Sequence, residues 1–349
     1  MNGETKLFEN ANILPLNYPA NIENAIGITT TVPIEIIFAA GYIPVDLNNV
    51  FISDEDPYGM VDKAELNGLP RSTCAWTKGI YSAAQKIGIK KVVGVVQGDC
   101  SHTHALMDIF HSEGIEVIPF EYPYKRDKTR LEKRLRYFSD QLGADADKVK
   151  DMKKRLDSIR DIVHEIDRLT WQENKVTGEE NHIWLVSTSD MVGDYSSYEQ
   201  RAKKFLDEAN RRNSIQYKAK VAYIGVPPIC SDLYSFLGSL GCGVVFNEVQ
   251  RQFSMPFKTS SLSEQYTLYT YPYDIFTKIE DIKREIAIRK TDGLIFYVQN
   301  FCHRPIYEKI LRKHIDIPMI TIDFDKPGPL TGAMKTRIEA FSEMLNNGN

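Results

Sequence analysis

At 349 residues, 42% hydrophobic and 26% charged, the chain can bury more core than one ordinary domain holds, which predicts two domains. Its formal net charge of -4 is interspersed along the sequence and not gathered into a basic face or tail, which argues against nucleic acid as the main partner. Residues 1–25 lack the basic-then-apolar order of a secretion signal, and no run reaches the roughly 18 apolar residues of a membrane span, so a soluble cytoplasmic protein is expected.

In chain order, Cys74 comes first among the notable residues, in Arg71-Ser72-Thr73-Cys74-Ala75-Trp76, a polar loop directly before helical spacing over Trp76–Ile87. A β-branched run, Lys91–Val96, follows and leads into Gln97-Gly98-Asp99-Cys100-Ser101-His102; a second run is Ile115–Phe120. Residues 129–212 form a long charged segment in which Met152, Leu156, Ile159, Val163 and Ile166 make one apolar seam, so an amphipathic helix is expected, packed on the body or at a subunit contact. Polar residues Gln172–Asn181 read as a loop.

The domain boundary is expected near Arg211–Gln216, giving an amino-terminal α/β domain over 1–215, which includes helical segment 129–212, and a carboxy-terminal α/β domain over 216–349. The second domain carries strand runs at Lys220–Ile224, Gly243–Phe246, Gly293–Val298 and Pro318–Ile322, and a helix over Lys278–Arg289. Near-continuous apolar runs suit strands covered on both faces, so the fold class is α/β, with two doubly wound, Rossmann-like domains built on parallel sheets.

The run ending at Val298 enters Gln299-Asn300-Phe301-Cys302-His303, echoing the passage into Cys100: strand, Gln, two residues, Cys, once in each half. Cofactors gather beyond the carboxyl ends of such strands, so Cys100 and Cys302 occupy chemically rich positions. Cys74 stands where helix amides favour a thiolate. Five cysteines without a secretion signal are not a disulfide framework; metal ligation, catalysis and plain burial remain. A zinc site with His102, His104 or His303 competes with an iron-sulfur site, although structural zinc ligands usually come in close pairs and these cysteines do not. Cys242, at the amino end of a strand, reads as a buried structural residue. Cys230, which follows a strand through Gly225-Val226-Pro227-Pro228-Ile229, is expected near the cleft without being a permanent ligand.

The stretch Pro33-Ile34-Glu35-Ile36-Ile37-Phe38-Ala39-Ala40-Gly41-Tyr42-Ile43-Pro44 resembles the opening of the 2-hydroxyacyl-CoA dehydratase and benzoyl-CoA reductase family. So does the end, Phe301-Cys302-His303 leading through Ile317-Pro318 to Thr336–Leu345, and Cys74, Cys100 and Gly225-Val226-Pro227 fall in the family's order between them.

The resemblance implies a 4Fe-4S cluster held by Cys74, Cys100 and Cys302 in an interdomain cleft, with the fourth iron left for substrate. It further implies single-electron, ketyl-radical dehydration of a 2-hydroxyacyl-CoA, an ATP-hydrolysing iron-sulfur activator, and a homodimer or a heterodimer with a homologous subunit. Absence of a GxxxxGK[ST] loop agrees with ATP being used by a partner. Glu35 is the candidate acid/base or ligand-orienting residue, set against a plain charge in the first turn of a helix. An ATP-driven reductase of the same family, of the benzoyl-CoA or double-cubane type, and a zinc-stabilised scaffold are the alternatives. Phe246-Asn247-Glu248-Val249-Gln250-Arg251 departs from the family's usual paired aspartates and further cysteine, so substrate contacts are not carried over there.

Overall fold

The apolar runs become two parallel four-stranded sheets in a computed structural model that describes residues 23–347. The opening stretch read for a secretion signal lies almost wholly outside the described residues. Among those described, no helix is long and apolar enough to cross a membrane.

The first half runs β1 (Ala25–Ile28), α1 (Ile34–Ala39), β2 (Ile43–Asp46), α2 (Leu47–Ile52), α3 (Pro57–Leu66), α4 (Ala75–Ile87), β3 (Lys91–Gln97), α5 (Ser101–Ser112) and β4 (Glu116–Glu121). Four helices follow: α6 (Lys128–Leu142), α7 (Ala146–Trp171), α8 (Gly178–Val186) and α9 (Tyr195–Asn210). Then come β5 (Ala219–Gly225), α10 (Leu233–Ser239), β6 (Cys242–Asn247), α11 (Glu248–Phe253), α12 (Leu262–Leu268) and α13 (Ile275–Arg289). The chain closes with β7 (Gly293–Gln299), α14 (Glu308–His314), β8 (Met319–Phe324) and α15 (Gly332–Asn347).

Strand order is β2-β1-β3-β4 in one sheet and β6-β5-β7-β8 in the other, the same winding twice. The α/β expectation of two parallel sheets therefore holds. β5 and β7 lie inside their sheet and are almost entirely buried, as strands covered on both faces must be. Edge strands β4 and β8 alternate between buried and exposed positions. Pro44 and Pro119 sit in edge strands β2 and β4, where a missing N–H costs no ladder bond.

The seam on α7 lies against α1, α8 and α9, with Leu156, Ile159, Val163 and Ile166 fully buried and Met152 only partly so. Truncating a residue such as Ile159 to Ala would cost roughly 2–5 kcal/mol. The expected loop over Gln172–Asn181 is shorter than the composition suggests. Thr177 and Glu180 close a capping box in which Thr177 Oγ1 accepts from the Glu180 amide while Glu180 accepts from the Thr177 amide, so α8 begins at Gly178.

The expected boundary near residues 211–216 falls between α9 and β5, and segments cross it in both directions. From the first half, α8 packs on β6 so closely that a Cβ at Gly178 would lie 2.6 Å from Val244 Cβ. From the second half, Phe253, Met255, Tyr266, Tyr269 and Tyr273 join the core that holds Ile26, Ile28 and the α7 seam.

Candidate functional site

An order of 2-1-3-4 reverses direction between its first and third strands, leaving a crevice beyond their carboxyl ends. In one sheet that crevice presents Thr29 and Thr30 after β1, and Asp99 and Cys100 after β3. In the other it presents Val226, Pro227 and Pro228 after β5, and Cys302, His303 and Arg304 after β7. All of these, with Cys74, line one cavity of about 360 Å³, a size that suits a small ligand or cofactor.

Two glycines make the approach possible. Gly98 has φ +102°, and a Cβ there would lie 2.9 Å from the Cβ atoms of Tyr122 and Pro272. Gly225 has φ +114°, and its Cβ would fall 2.0 Å from the Tyr297 carbonyl oxygen. Any other residue would displace the turn that carries the cavity wall.

Cys74 is the N-cap of α4, and the amides of Trp76 and Thr77 face its thiol. These amides favour the thiolate, as expected from the sequence position, but they are outweighed. Burial dominates, neighbouring Cys302 and Cys100 add to it, and the thiol is pushed up to about 12. A bound metal cation reverses that preference, because coordination deprotonates a thiol outright.

Cys100 caps α5 and is likewise raised, first by burial and then by Asp99. Thr103 Oγ1 donates to Asp99 Oδ2 at 2.8 Å and lies 3.5 Å from Cys100 Sγ. Cys302 Sγ accepts from the Arg304 amide at 3.5 Å. Among the described residues no three His, Cys, Asp or Glu side chains converge on a centre the size of one metal ion.

The other cysteines lie elsewhere. Cys230 is buried, is absent from the cavity wall and donates to Asp232 Oδ1 at 3.3 Å. Cys242 is buried at the start of β6, 3.0 Å from Ser342 Oγ. Of the three candidate histidines only His303 lines the cavity; His102 and His104 sit in the first turn of α5.

Glu35 is fully buried and does not line the cavity. Its Oε1 accepts from Arg160 and Gln265, each at 2.7 Å, and its Oε2 lies 3.0 Å from the Tyr266 hydroxyl. Burial opposes its ionisation, but Arg160 and the hydrogen bonds prevail and hold the carboxyl below its usual range. These contacts tie α1 to α7 and α12.

Several cavity residues were not singled out from sequence. Arg304 stacks 4.2 Å from the centroid of Tyr271, and Lys278 Nζ lies 4.7 Å from the same ring. Burial, reinforced by Arg304, pushes Lys278 down to about 7 against the pull of Glu248. Asp46, Asn48, Asn49 and His182 also line the cavity. Burial pushes the Asp46 carboxyl up although Ser189 and Asn48 donate to it. His182 Nδ1 lies 2.7 Å from Gln250 Nε2, and burial alone takes its imidazole down to about 3, so the ring is neutral. Arg304 stood two residues from Cys302 and was legible as a charge near a candidate ligand. Tyr271, Asp46 and His182 carry no local signal and reach the cavity only through folding, and Lys278 comes to its place over the Tyr271 ring in the same way.

Residues 29–345 match the family model described as 2-hydroxyglutaryl-CoA dehydratase, D-component. No curated protein matches the chain significantly.

Proposed function

Because the chain belongs to the 2-hydroxyglutaryl-CoA dehydratase D-component family, we propose that it is the 4Fe-4S subunit of an enzyme that removes water from a 2-hydroxyacyl-CoA to give a 2-enoyl-CoA. The observation that carries this reading is the presence of Cys74, Cys100 and Cys302 on one cavity wall, Cys100 and Cys302 from the switch points of the two sheets and Cys74 from the start of α4.

The donor set fits a cluster. Three thiols surround a cavity far larger than one ion, and Cys230, the nearest further candidate by sequence, is turned to Asp232. Three thiolates leave one iron of a cubane without a protein ligand. Cys230 and Cys242 add no more thiols to this wall, so a double cubane, which needs about six if each cubane takes three, is not supplied by this chain alone. When bound, the cluster would supply an open iron as Lewis acid and a single low-potential electron.

The chain's own residues do the rest. The α4 and α5 amides and the Arg304 amide face the three sulfur positions. Ile52, Ile80, Ile183, Val186 and Phe253 give the remaining wall its apolar character and exclude water from an acyl chain, while Asn48, Asn49 and neutral His182 offer polar groups without adding positive charge. The ketyl-radical route inferred from the family demands an electron from outside, so a separate ATP-hydrolysing iron-sulfur activator and a homologous or identical partner subunit belong to this reading, in a cytoplasmic setting.

The test is to combine the anaerobically purified chain with an activator, its partner subunit, ATP, a low-potential reductant and 2-hydroxyacyl-CoA esters, and to follow 2-enoyl-CoA by mass spectrometry. ATP-dependent loss of 18 mass units, the mass of water, supports the proposal. ATP-dependent gain of two hydrogens by an acyl-CoA with no loss of water would make the chain a reductase instead.

A further inference from the structure

Arg304 is buried to 7% exposure, two residues beyond Cys302, and faces the cavity that the three cysteines share. Its guanidinium lies 4.2 Å from the centroid of Tyr271, which fixes its position without neutralising it. Lys278 approaches the same ring at 4.7 Å. The nearby carboxylates do not hydrogen-bond it: Asp99 accepts from Thr103 at 2.8 Å, and Glu248 accepts from the Gly225 amide at 3.4 Å through Oε2 and leaves Oε1 without a hydrogen bond. Arg304 interacts with Tyr271, Cys302, Asp99 and Glu248 through space alone. A permanent cation has thus been buried near Cys302, on the wall of a cavity that all three thiols line, without a hydrogen-bonded acid to balance it. Burial of that kind is costly unless a negative group is present.

We propose that Arg304, seated on Tyr271, is a positioning residue whose charge compensates the anionic thiolate-bound cluster and raises its reduction potential. The inference rests on the reading of Cys74, Cys100 and Cys302 as cluster ligands. A cube carrying three thiolates becomes more negative by one unit on reduction, and a guanidinium within the same low-dielectric pocket stabilises the reduced form more than the oxidised one. Arginine serves this role better than lysine because its charge stays fixed across the accessible pH range and its plane stacks on an aromatic face.

The experiment is an EPR-monitored redox titration of the anaerobically purified protein and its R304Q, R304K and K278Q variants, with exposed R312Q as control. Iron and sulfide are assayed in each. R304Q should shift the reduction equilibrium at least about tenfold toward the oxidised form, about 59 mV more negative for one electron. R304K should recover most of that shift, and R312Q should match the wild type. Should R304Q fail to hold the cluster, K278Q carries the test in titrations run at pH 6, where Lys278 is charged, because it removes the second cation from the same ring and must shift the potential in the same direction. Wild-type protein without iron and sulfide would defeat the cluster reading itself. A loaded wild type whose potential is unchanged in R304Q, or in K278Q where that variant carries the test, overturns the tuning role alone. A raised KM with unchanged potential would do so as well, by making Arg304 a substrate contact.

Discussion

At Cys74 two effects of opposite sign meet, and their sizes decide the outcome. Helix amides favour the thiolate, as the sequence position suggests, but the thiol is only 7% exposed and burial takes it to about 12. What sequence could not supply was the depth of the site. Cys74, Cys100 and Cys302 were legible as candidates because each adjoins a helix start or a strand end. Replacing any one of them by Ser should abolish the iron-sulfur absorption of anaerobically purified protein, whereas Cys242→Ser and Cys230→Ser should retain it, the two being bonded to Ser342 and Asp232 away from the cavity. A Cys100→Ser protein with full iron and sulfide would show the ligand set to be wrong. His182 yields a separate, pH-dependent outcome. From its ordinary 6.5 downward the unfolded chain takes up a proton that the folded chain refuses until about 3. Its contribution is therefore complete above 6.5 and is lost as pH falls, by on the order of 2 kcal/mol between pH 6.5 and 5. Denaturant titrations at the two pH values should give a smaller loss in His182→Asn than in the wild type; equal losses would contradict its burial as a neutral ring.

Among the elements, the long apolar runs were the easiest to read and the shortest strands the hardest. Lys91–Val96 and Gly293–Val298 recur as β3 and β7 with one residue added to each. By contrast β1 and β2 are only four residues each, Ala25-Ile26-Gly27-Ile28 and Ile43-Pro44-Val45-Asp46, and their Gly and Pro mask the pattern. The start of α8 was legible in Thr177 and Glu180, but the polar composition around Gly178 outweighed it. Glu35 joins three elements by its bonds to Arg160 on α7 and to Gln265 and Tyr266 on α12. Glu35→Gln leaves the buried Arg160 charge with only the partly exposed Asp157 at 3.3 Å as a partner, so unfolding free energy should fall, by at most roughly 3–5 kcal/mol. A stable Glu35→Gln protein that binds its cluster but no longer turns over would instead give Glu35 an acid/base role.

For the whole molecule, the short echo of strand, Gln, two residues and Cys proves to mark equivalent places in two sheets of identical winding, β3 in one and β7 in the other. The sequence carried that equivalence in four residues on each side; the glutamines themselves diverged, since Gln299 ties β7 to the Phe324 and Asp325 carbonyls while Gln97 is exposed. Less legible was the exchange by which α8 covers β6 while residues 253–273 enter the first core, because helix and loop patterns do not say which sheet they will cover. The exchange ties the two halves on either side of the cavity, and the account depends on their holding one cluster between them. Iron and acid-labile sulfide assayed in the anaerobically purified chain test this most directly: about four of each per chain, as one 4Fe-4S cluster requires, is the predicted result, and zinc without sulfide would contradict it.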